Sequence, residues 1–220
     1  MKAEVEALER EIVGRINSLP AQNAEALRGI RREFSKKLKQ ASPKLVLQVA
    51  MQLASRSQTQ FRFMAYELIL KHSAALKAIE EKMLVKLGTG MDSWAAVDTF
   101  ACYVAGPVWR EGQVSDKLIR DWAASSDRWW RRAALVSTVP LNNKARGGSG
   151  DSERTLAVCR LLVKDRDDMV IKALSWSLRE LAKRQPDVVA DFLDRHANDL
   201  APRVVREVKN KLRTGLKNPK

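Results

Sequence analysis

IKALSWSLRE, residues 171–180, is the stretch that decides the fold class, because three related stretches precede it in the chain. They are FRFMAYELIL at 61–70, VDTFACYVAG at 97–106 and WRRAALVSTV at 130–139. Each is apolar, rich in small residues and preceded by a polar or loop-like segment. The dominant apolar period is about 3.6 residues, as in α-helices, and strand patterns are nearly absent. The sequence therefore predicts an all-α fold.

The spacing of these stretches predicts a repeated helical unit. The equivalent positions would be Arg62, Asp98, Arg132 and Lys172. The intervals between them, about 34–40 residues, are typical of two-helix repeats of the HEAT/armadillo type. Because equivalent residues of stacked repeats line one face, we expect an α-α superhelical solenoid whose concave face is basic and binds DNA. An ordinary helical bundle is the alternative at this point.

Helix-breaking residues fall at helix-sized intervals along the whole sequence. We expect one domain over residues 1–220. Its last residues, 217–220, are expected to form a disordered tail. Ser42 followed by Pro43 predicts a helix start, because Ser is a good N-cap and Pro fits the first helical turn. The stretch NNKARGGSGD, residues 142–151, predicts an exposed and flexible loop.

The charge of the chain predicts a polyanionic partner. There are 40 Lys and Arg against 26 Asp and Glu, a formal net charge of +14 at pH 7. Each Lys or Arg near a phosphate releases condensed counterions, so nucleic acid is the first candidate and an anionic membrane surface the second. No apolar stretch is long enough to span a membrane, and the N-terminus lacks the apolar core of a signal peptide.

The two cysteines and two histidines do not form a metal-binding pattern. Cys102 and Cys159 lie in apolar helical patterns, which predicts core thiols in a reducing cytosol. His72 and His196 are far apart, with no Cys, Asp or Glu cluster at ligand spacing, so we expect no metal site.

Positive charge is concentrated in three segments. Residues 28–44 carry many Lys and Arg against the single acid Glu33, and residues 203–220 carry many against Glu207. Arg128, Arg131 and Arg132 lie between these segments. Clusters near both ends and in the middle would suit a curved solenoid that follows one duplex backbone. The alternative is a solvated charged surface with no partner.

The tryptophans include candidates for surface contacts, although core packing is the default for each. Trp129 and Trp130 are adjacent, so on a helix their side chains point about 100° apart and at least one should lie near the surface. An indole beside arginines can stack on a cation or a sugar. Trp94 lies four residues before Asp98, which places both on one helical face. Taken alone, Asp98 is more typical of a helix N-cap than of a catalyst.

Three longer motifs resemble the AlkD-type DNA alkylation repair glycosylases, which are HEAT-like repeat DNA glycosylases. They are MDSWAAVD at 91–98, SSDRWWRRAAL at 125–135 and MVIKALSWSLRELAKRQPDVV at 169–189. The resemblance runs from about residue 58 to the C-terminus and is weaker, through SPKLVLQVAMQLA, in the N-terminal quarter. It implies excision of positively charged alkylated purines, such as 3-methyladenine and 7-methylguanine, from duplex DNA in base excision repair. It also implies a monofunctional, monomeric hydrolase that needs no cofactor and no metal.

The resemblance assigns roles to four residues. Asp98 corresponds to the catalytic aspartate, Trp94 and Trp176 to the tryptophans that contact the deoxyribose, and Arg132 to the active-site arginine near the DNA backbone. The residues that we expect to bind DNA are Arg62, Arg128, Trp129, Arg131, Lys172, Lys36, Lys37, Lys44, Arg206, Lys209 and Arg213.

The chain departs from the family pattern near these residues, which bears on substrate range and on the grip on DNA. Asp168 and Met169 stand where the family has bulky aromatics, and KKLKQASPK lacks a glycine that the family often has. Two other readings remain: a non-catalytic HEAT-repeat protein that binds duplex or unusual DNA structures, and a protein-interaction solenoid. We expect a cytoplasmic protein of the bacterial cytosol or nucleoid.

Overall fold

The structure is a computed structural model, which describes residues 1–219. The described residues form helices joined by short connections, with no β-strand among them, so the prediction of an all-α fold is confirmed. The chain falls into two compact units, Met1–Val104 and a second that begins at Ala105. Each unit is described by itself. No helix among residues 1–219 is both long and apolar enough to cross a membrane.

The helices of the first unit surround an apolar core. They are α1 Lys2–Asn17, α2 Ala24–Lys37, α3 Pro43–Ala54, α4 Thr59–Lys71, α5 Ser73–Lys77, α6 Glu81–Gly88 and α7 Trp94–Phe100. The predicted start of α3 is confirmed, because the Ser42 hydroxyl accepts a hydrogen bond from the Leu45 N–H at 3.2 Å. Helix α4 packs against α2, α3 and α7, and its side chains are buried on nearly every side. It is therefore the central helix of this unit.

The second unit is built around α10 and α13. Its helices are α8 Gly106–Arg110, α9 Asp116–Ala123, α10 Arg128–Ser137, α11 Val139–Asn142, α12 Ser152–Leu161, α13 Asp168–Leu181, α14 Pro186–Arg195 and α15 Pro202–Thr214. Helix α13 packs against α10 on one side and α15 on the other. Small buried residues such as Ala133 and Ala173 allow this close packing. Between the two helices, the Ser177 hydroxyl donates to the Leu135 carbonyl at 2.6 Å.

The segment 142–151 is not the wholly exposed, flexible loop that we predicted. Asn142 is completely buried: its side-chain amide donates to the Thr155 hydroxyl at 2.9 Å and its side-chain oxygen accepts from the Asp151 N–H at 2.9 Å. Gly148 is also buried, and a Cβ at this position would clash with the Pro140 and Leu141 backbone. The loop is therefore fixed by tertiary hydrogen bonds that its composition did not indicate.

The end of the chain continues to contact α15 after that helix ends. The Asn210 side chain donates to the Lys217 carbonyl at 3.2 Å, and the Lys217 ammonium lies 3.4 Å from the Glu207 carboxylate. Lys220 lies outside the described residues, so the disordered tail at 217–220 stays a prediction. The single domain over the whole chain likewise stays a prediction.

Candidate functional site

The first part of the candidate site lies on α7, in the first unit. The Ser93 hydroxyl caps this helix by accepting from the Ala96 N–H at 3.4 Å. Trp94 is therefore the first residue of the helix and Asp98 lies one turn further on, half-buried. The reading of Asp98 as a helix N-cap is excluded, because Ser93 holds that position. The Trp94 side chain is 59% exposed, which is unusual for so large an apolar group.

A π-helical turn, Ala101–Ala105, directly follows α7. Turns of this kind contain one residue more than an α-helical turn and occur often at functional sites. Tyr103 lies in this turn and is half-buried, whereas its neighbours Cys102 and Val104 are buried. The turn therefore leaves Tyr103 partly exposed, whereas the other residues of the turn are buried.

Arg62 is buried and does not have the exposed position that we predicted for a DNA contact. Only 3% of its surface is exposed. Its Nη2 donates to the Thr89 carbonyl at 2.9 Å and its Nη1 to the Tyr66 hydroxyl at 3.4 Å. The Tyr66 hydroxyl in turn donates to the Leu87 carbonyl at 2.8 Å, and burial raises the pKa of this phenol. Arg62 therefore belongs to the interior of the first unit and not to its exposed surface.

The contacts of Arg62 hold the connection that leads into α7. Arg62 bonds directly to the carbonyl of Thr89, the C-cap residue of α6, where a cation is favourable to the helix dipole. Gly90, in the connection, has φ of +73°, and a Cβ there would lie 3.1 Å from the Arg62 Nη2. A side chain at this position would be strained and would crowd the guanidinium. The role that the structure gives Arg62 is to fix the backbone that precedes Trp94.

The second part of the candidate site lies in the second unit, on α10 and α13. Arg132, on α10, is buried, and its Nη1 donates to the Met169 carbonyl at 2.6 Å at the start of α13. This contact uses the backbone of residue 169, so the missing aromatic side chain there does not remove it. Trp176 lies on α13 and is half-buried between the fully buried Ser175 and Ser177.

The start of α13 carries Lys172, which we predicted to bind DNA, among several other charged residues. Asp167 caps the helix by accepting from the Met169 N–H at 2.8 Å. Asp168 lies 2.5 Å from the Lys172 ammonium and 3.2 Å from the Arg203 guanidinium. The hydrogen bond from Lys172, more than any other contact, lowers the pKa of Asp168. The Lys172 charge is therefore partly balanced by protein.

Of the two arginines near Trp129 in sequence, Arg128 is exposed, whereas Arg131 is bonded to other residues of the protein. Arg128 is exposed, its guanidinium lies 4.9 Å from the centre of the Trp129 ring, and it is 3.5 Å from Asp167. Arg131 instead donates to Asp165 at 2.7 Å and to the Ser126 carbonyl at 2.8 Å. Arg128 and Trp129 therefore suit an external partner better than Arg131, whose donors hold the start of α10.

The other predicted DNA-binding residues are exposed on their helices. In the first unit these are Lys36, Lys37 and Lys44, and in the second Arg206, Lys209 and Arg213. Of these, Lys37 forms an ion pair with Glu11 at 2.6 Å. The predicted contacts of all six with DNA stay predictions.

Glu207 is a buried acid whose role the sequence did not reveal. It accepts from the Ser175 hydroxyl at 2.5 Å and from the Arg203 Nε at 3.0 Å, and Arg179 lies within 4.0 Å. Burial acts to raise the pKa of Glu207, but the hydrogen bonds and the nearby cations outweigh burial and lower it. This carboxylate joins α15 to the segment of α13 that carries Trp176.

Glu67 has the same kind of role in the first unit. It is buried on α4 and forms ion pairs with Arg28 and Arg31 of α2. The only sequence signal for it is an acid within the apolar stretch FRFMAYELIL. A buried carboxylate needs cationic partners, so an acid within an apolar stretch predicts an ion pair with arginines elsewhere in the chain, here Arg28 and Arg31.

The structure thus brings Trp94 and Asp98 together in the first unit, and Arg132 and Trp176 are both described in the second. The convergence of all four stays a prediction. Among residues 1–219, no group of three or more His, Cys, Asp or Glu is placed to hold a metal ion. No curated protein matches the sequence. A family model described as DNA alkylation repair enzyme matches residues 21–212. Because this match covers most of the chain, the protein belongs to the DNA alkylation repair enzyme family.

Proposed function

We propose that this protein is a DNA glycosylase that excises positively charged alkylated purines, of the 3-methyladenine and 7-methylguanine type, from duplex DNA. The family gives repair of alkylated DNA in general. The proposal adds the reaction, which is hydrolysis of the N-glycosidic bond, and the residues that carry it.

The observation that carries the proposal is the pair formed by Trp94 and Asp98. A large indole that is 59% exposed is followed, one turn later on α7, by a half-buried carboxylate. The indole offers a flat face for a sugar or a cationic base, and the carboxylate offers negative charge beside it. An aromatic face and a nearby negative charge both stabilise the positive charge that develops on the sugar as the base departs.

The chemistry needs little beyond these groups. A purine alkylated on a ring nitrogen carries positive charge, so the glycosidic electron pair leaves with the base and neutralises it. The sugar then resembles an oxocarbenium ion, as in other glycoside hydrolyses. Asp98 stabilises this cation and takes the proton from the water that adds to the anomeric carbon. The products are a free base and an abasic site.

In this proposal, residues of the second unit orient the sugar and phosphate of the damaged nucleotide. Trp176 offers a second aromatic face to the sugar. The resemblance assigns Arg132 to the phosphate next to the lesion, which its positive charge would attract even though the residue is only 5% exposed. Because Arg132 is buried and bonded to the Met169 carbonyl, its position is set before DNA arrives. We propose that the enzyme acts as a monomer, in the cytosol, without a cofactor.

Base release from methylated duplex DNA tests the proposal. Wild-type protein should release free alkylated purine, and Asp98→Asn should slow release about 100-fold or more, the usual contribution of a catalytic acid or base. Asp92→Asn is the matched control, because Asp92 is exposed and precedes the same helix. It should release base at the wild-type rate. If the wild type and Asp98→Asn release base equally slowly, a non-catalytic DNA-binding protein is the better reading.

A further inference from the structure

We infer that Arg28 is a DNA phosphate contact whose guanidinium is fixed in advance by Glu67 and Tyr103. The inference rests on the proposed function in one respect, namely that the partner is duplex DNA. It adds a residue outside the set that the sequence singled out, and it gives the first unit a contact on the same side as Tyr103.

Arg28 joins three elements of the first unit. It lies on α2, and its Nε donates to the Glu67 Oε1 at 3.0 Å on α4. Its Nη2 donates to the Tyr103 hydroxyl at 3.4 Å, in the π-helical turn after α7. Its guanidinium carbon also lies 5.6 Å from the centre of the Phe63 ring, on α4. The plane of the guanidinium is therefore held from several directions.

The charges around Glu67 do not balance. This buried carboxylate also accepts from the Arg31 Nε, through its Oε2, at 3.1 Å. Two guanidinium groups thus share one acid, which leaves one positive charge in excess. The side chain of Arg31 is 14% exposed and that of Arg28 is 42% exposed. The excess charge is therefore presented to the outside by Arg28.

Fixing an arginine in this way favours binding. A flexible arginine loses side-chain entropy when it grips a partner, whereas Arg28 is already ordered. Its hydrogen bonds to Glu67 and Tyr103 raise its pKa, so it stays charged. Its Nη1 is used in no hydrogen bond among residues 1–219, and the side chain is 42% exposed, so this nitrogen is available to a partner. A tetrahedral phosphate matches this planar fork, and phosphates line every duplex.

The place of Arg28 suits a contact close to the reacting nucleotide. Tyr103 follows Asp98 by five residues along the same helical run, which is about 7.5 Å of helix rise. In this inference, Arg28 meets a phosphate of the strand whose sugar lies at Asp98.

The test is the salt dependence of binding to an unmodified duplex by the full chain. Arg28→Gln should weaken binding severalfold at low salt and reduce the slope of log affinity against log salt by about 0.9, the value for one lost phosphate contact. Arg31→Gln is the matched control, because it removes the other ion pair of Glu67 from a side chain that is largely covered. It should leave the slope unchanged.

A further variant separates charge from geometry. Arg28→Lys keeps the charge and loses the fork, so it should keep the wild-type slope and bind more weakly than the wild type. Equal slopes for wild type, Arg28→Gln and Arg31→Gln would overturn the inference and leave Arg28 a structural residue. Because unmodified DNA is used, this result does not depend on base release. A chain that binds in this way but excises nothing would contradict the proposed function alone.

Discussion

Asp98 follows Trp94 by one helical turn on α7, and the indole is 59% exposed while the carboxylate is half-buried. The arrangement is set by Ser93, whose cap starts the helix at Trp94. It is also set by Arg62, which holds the preceding connection through the Thr89 carbonyl. Ser93 and Arg62 thus fix the register of the two residues that the proposed chemistry uses.

Trp94→Ala should separate function from stability. The indole is exposed, so the free energy of unfolding should change by no more than about 0.5 kcal/mol. Base release should fall strongly, because the aromatic face is lost, and Trp94→Phe should recover part of it. Trp109→Ala, at a tryptophan that is 1% exposed, should cost about 3–5 kcal/mol and serves as the contrast. A large loss of stability in Trp94→Ala would show that the indole packs against protein.

Arg62→Met should destabilise the protein without changing its electrostatic grip on DNA. Denaturant unfolding should show a loss of about 1–3 kcal/mol, because the Thr89 carbonyl and the Tyr66 hydroxyl lose a donor. The loss should lie toward the lower end, since the buried Arg62 Nε has no hydrogen-bond partner among residues 1–219 and its burial is itself costly. The salt dependence of duplex binding should stay as in the wild type. A smaller slope of log affinity against log salt than in the wild type would indicate that Arg62 contacts DNA.

Glu207→Gln should change how stability depends on pH. The pKa of Glu207 is lowered in the folded protein from its ordinary value of 4.5. Its contribution is therefore fully present above about pH 4.5 and is lost as the pH falls through the folded-state pKa. At neutral pH the variant should be less stable by about 3 kcal/mol, because Arg203 and Arg179 lose a buried partner. Urea unfolding from pH 7 downward should show this gap narrowing in acid, and a constant gap would contradict the account.

Cys159 should be unreactive in the folded protein. Burial raises the pKa of this thiol to about 12, so almost no thiolate exists at neutral pH. Cys102 is also buried. Titration with a disulfide reagent at mild alkaline pH should detect neither thiol in the native protein and both in denaturant. Rapid labelling of the native protein would mean that the second unit opens around α12.

The helical fold could be predicted from the sequence because its signals are local. The 3.6-residue period and the Ser42–Pro43 start depend on neighbours in the chain. The ordered structure of segment 142–151 could not be predicted. Asn142 is buried there through hydrogen bonds to Thr155 and Asp151 that sequence spacing does not show. Glycine there indicated flexibility, whereas Gly148 is required by a close backbone approach.

The candidate site was partly predictable for a similar reason. The spacing of Trp94 and Asp98 places them together on any helix, and the structure has that helix. Arg62 was expected to bind DNA because it stands at the equivalent position of the predicted repeat. However, α4 is buried on nearly every side, so the Arg62 side chain lies in the core. Arg28 belongs to the basic segment 28–44 but was not among the residues expected to bind DNA, because its role depends on Glu67, which lies 39 residues further along the chain.

The most direct test of the central claim is the single-turnover rate of base release at saturating protein, with wild type and Asp98→Asn compared on the same duplex containing 7-methylguanine. Both proteins should bind this duplex with similar affinity, since Asp98 contributes no positive charge. The wild type should release the base, and the variant should release it at least about 100-fold more slowly. Equal single-turnover rates for the two bound proteins would contradict the assignment of Asp98 as the catalytic group.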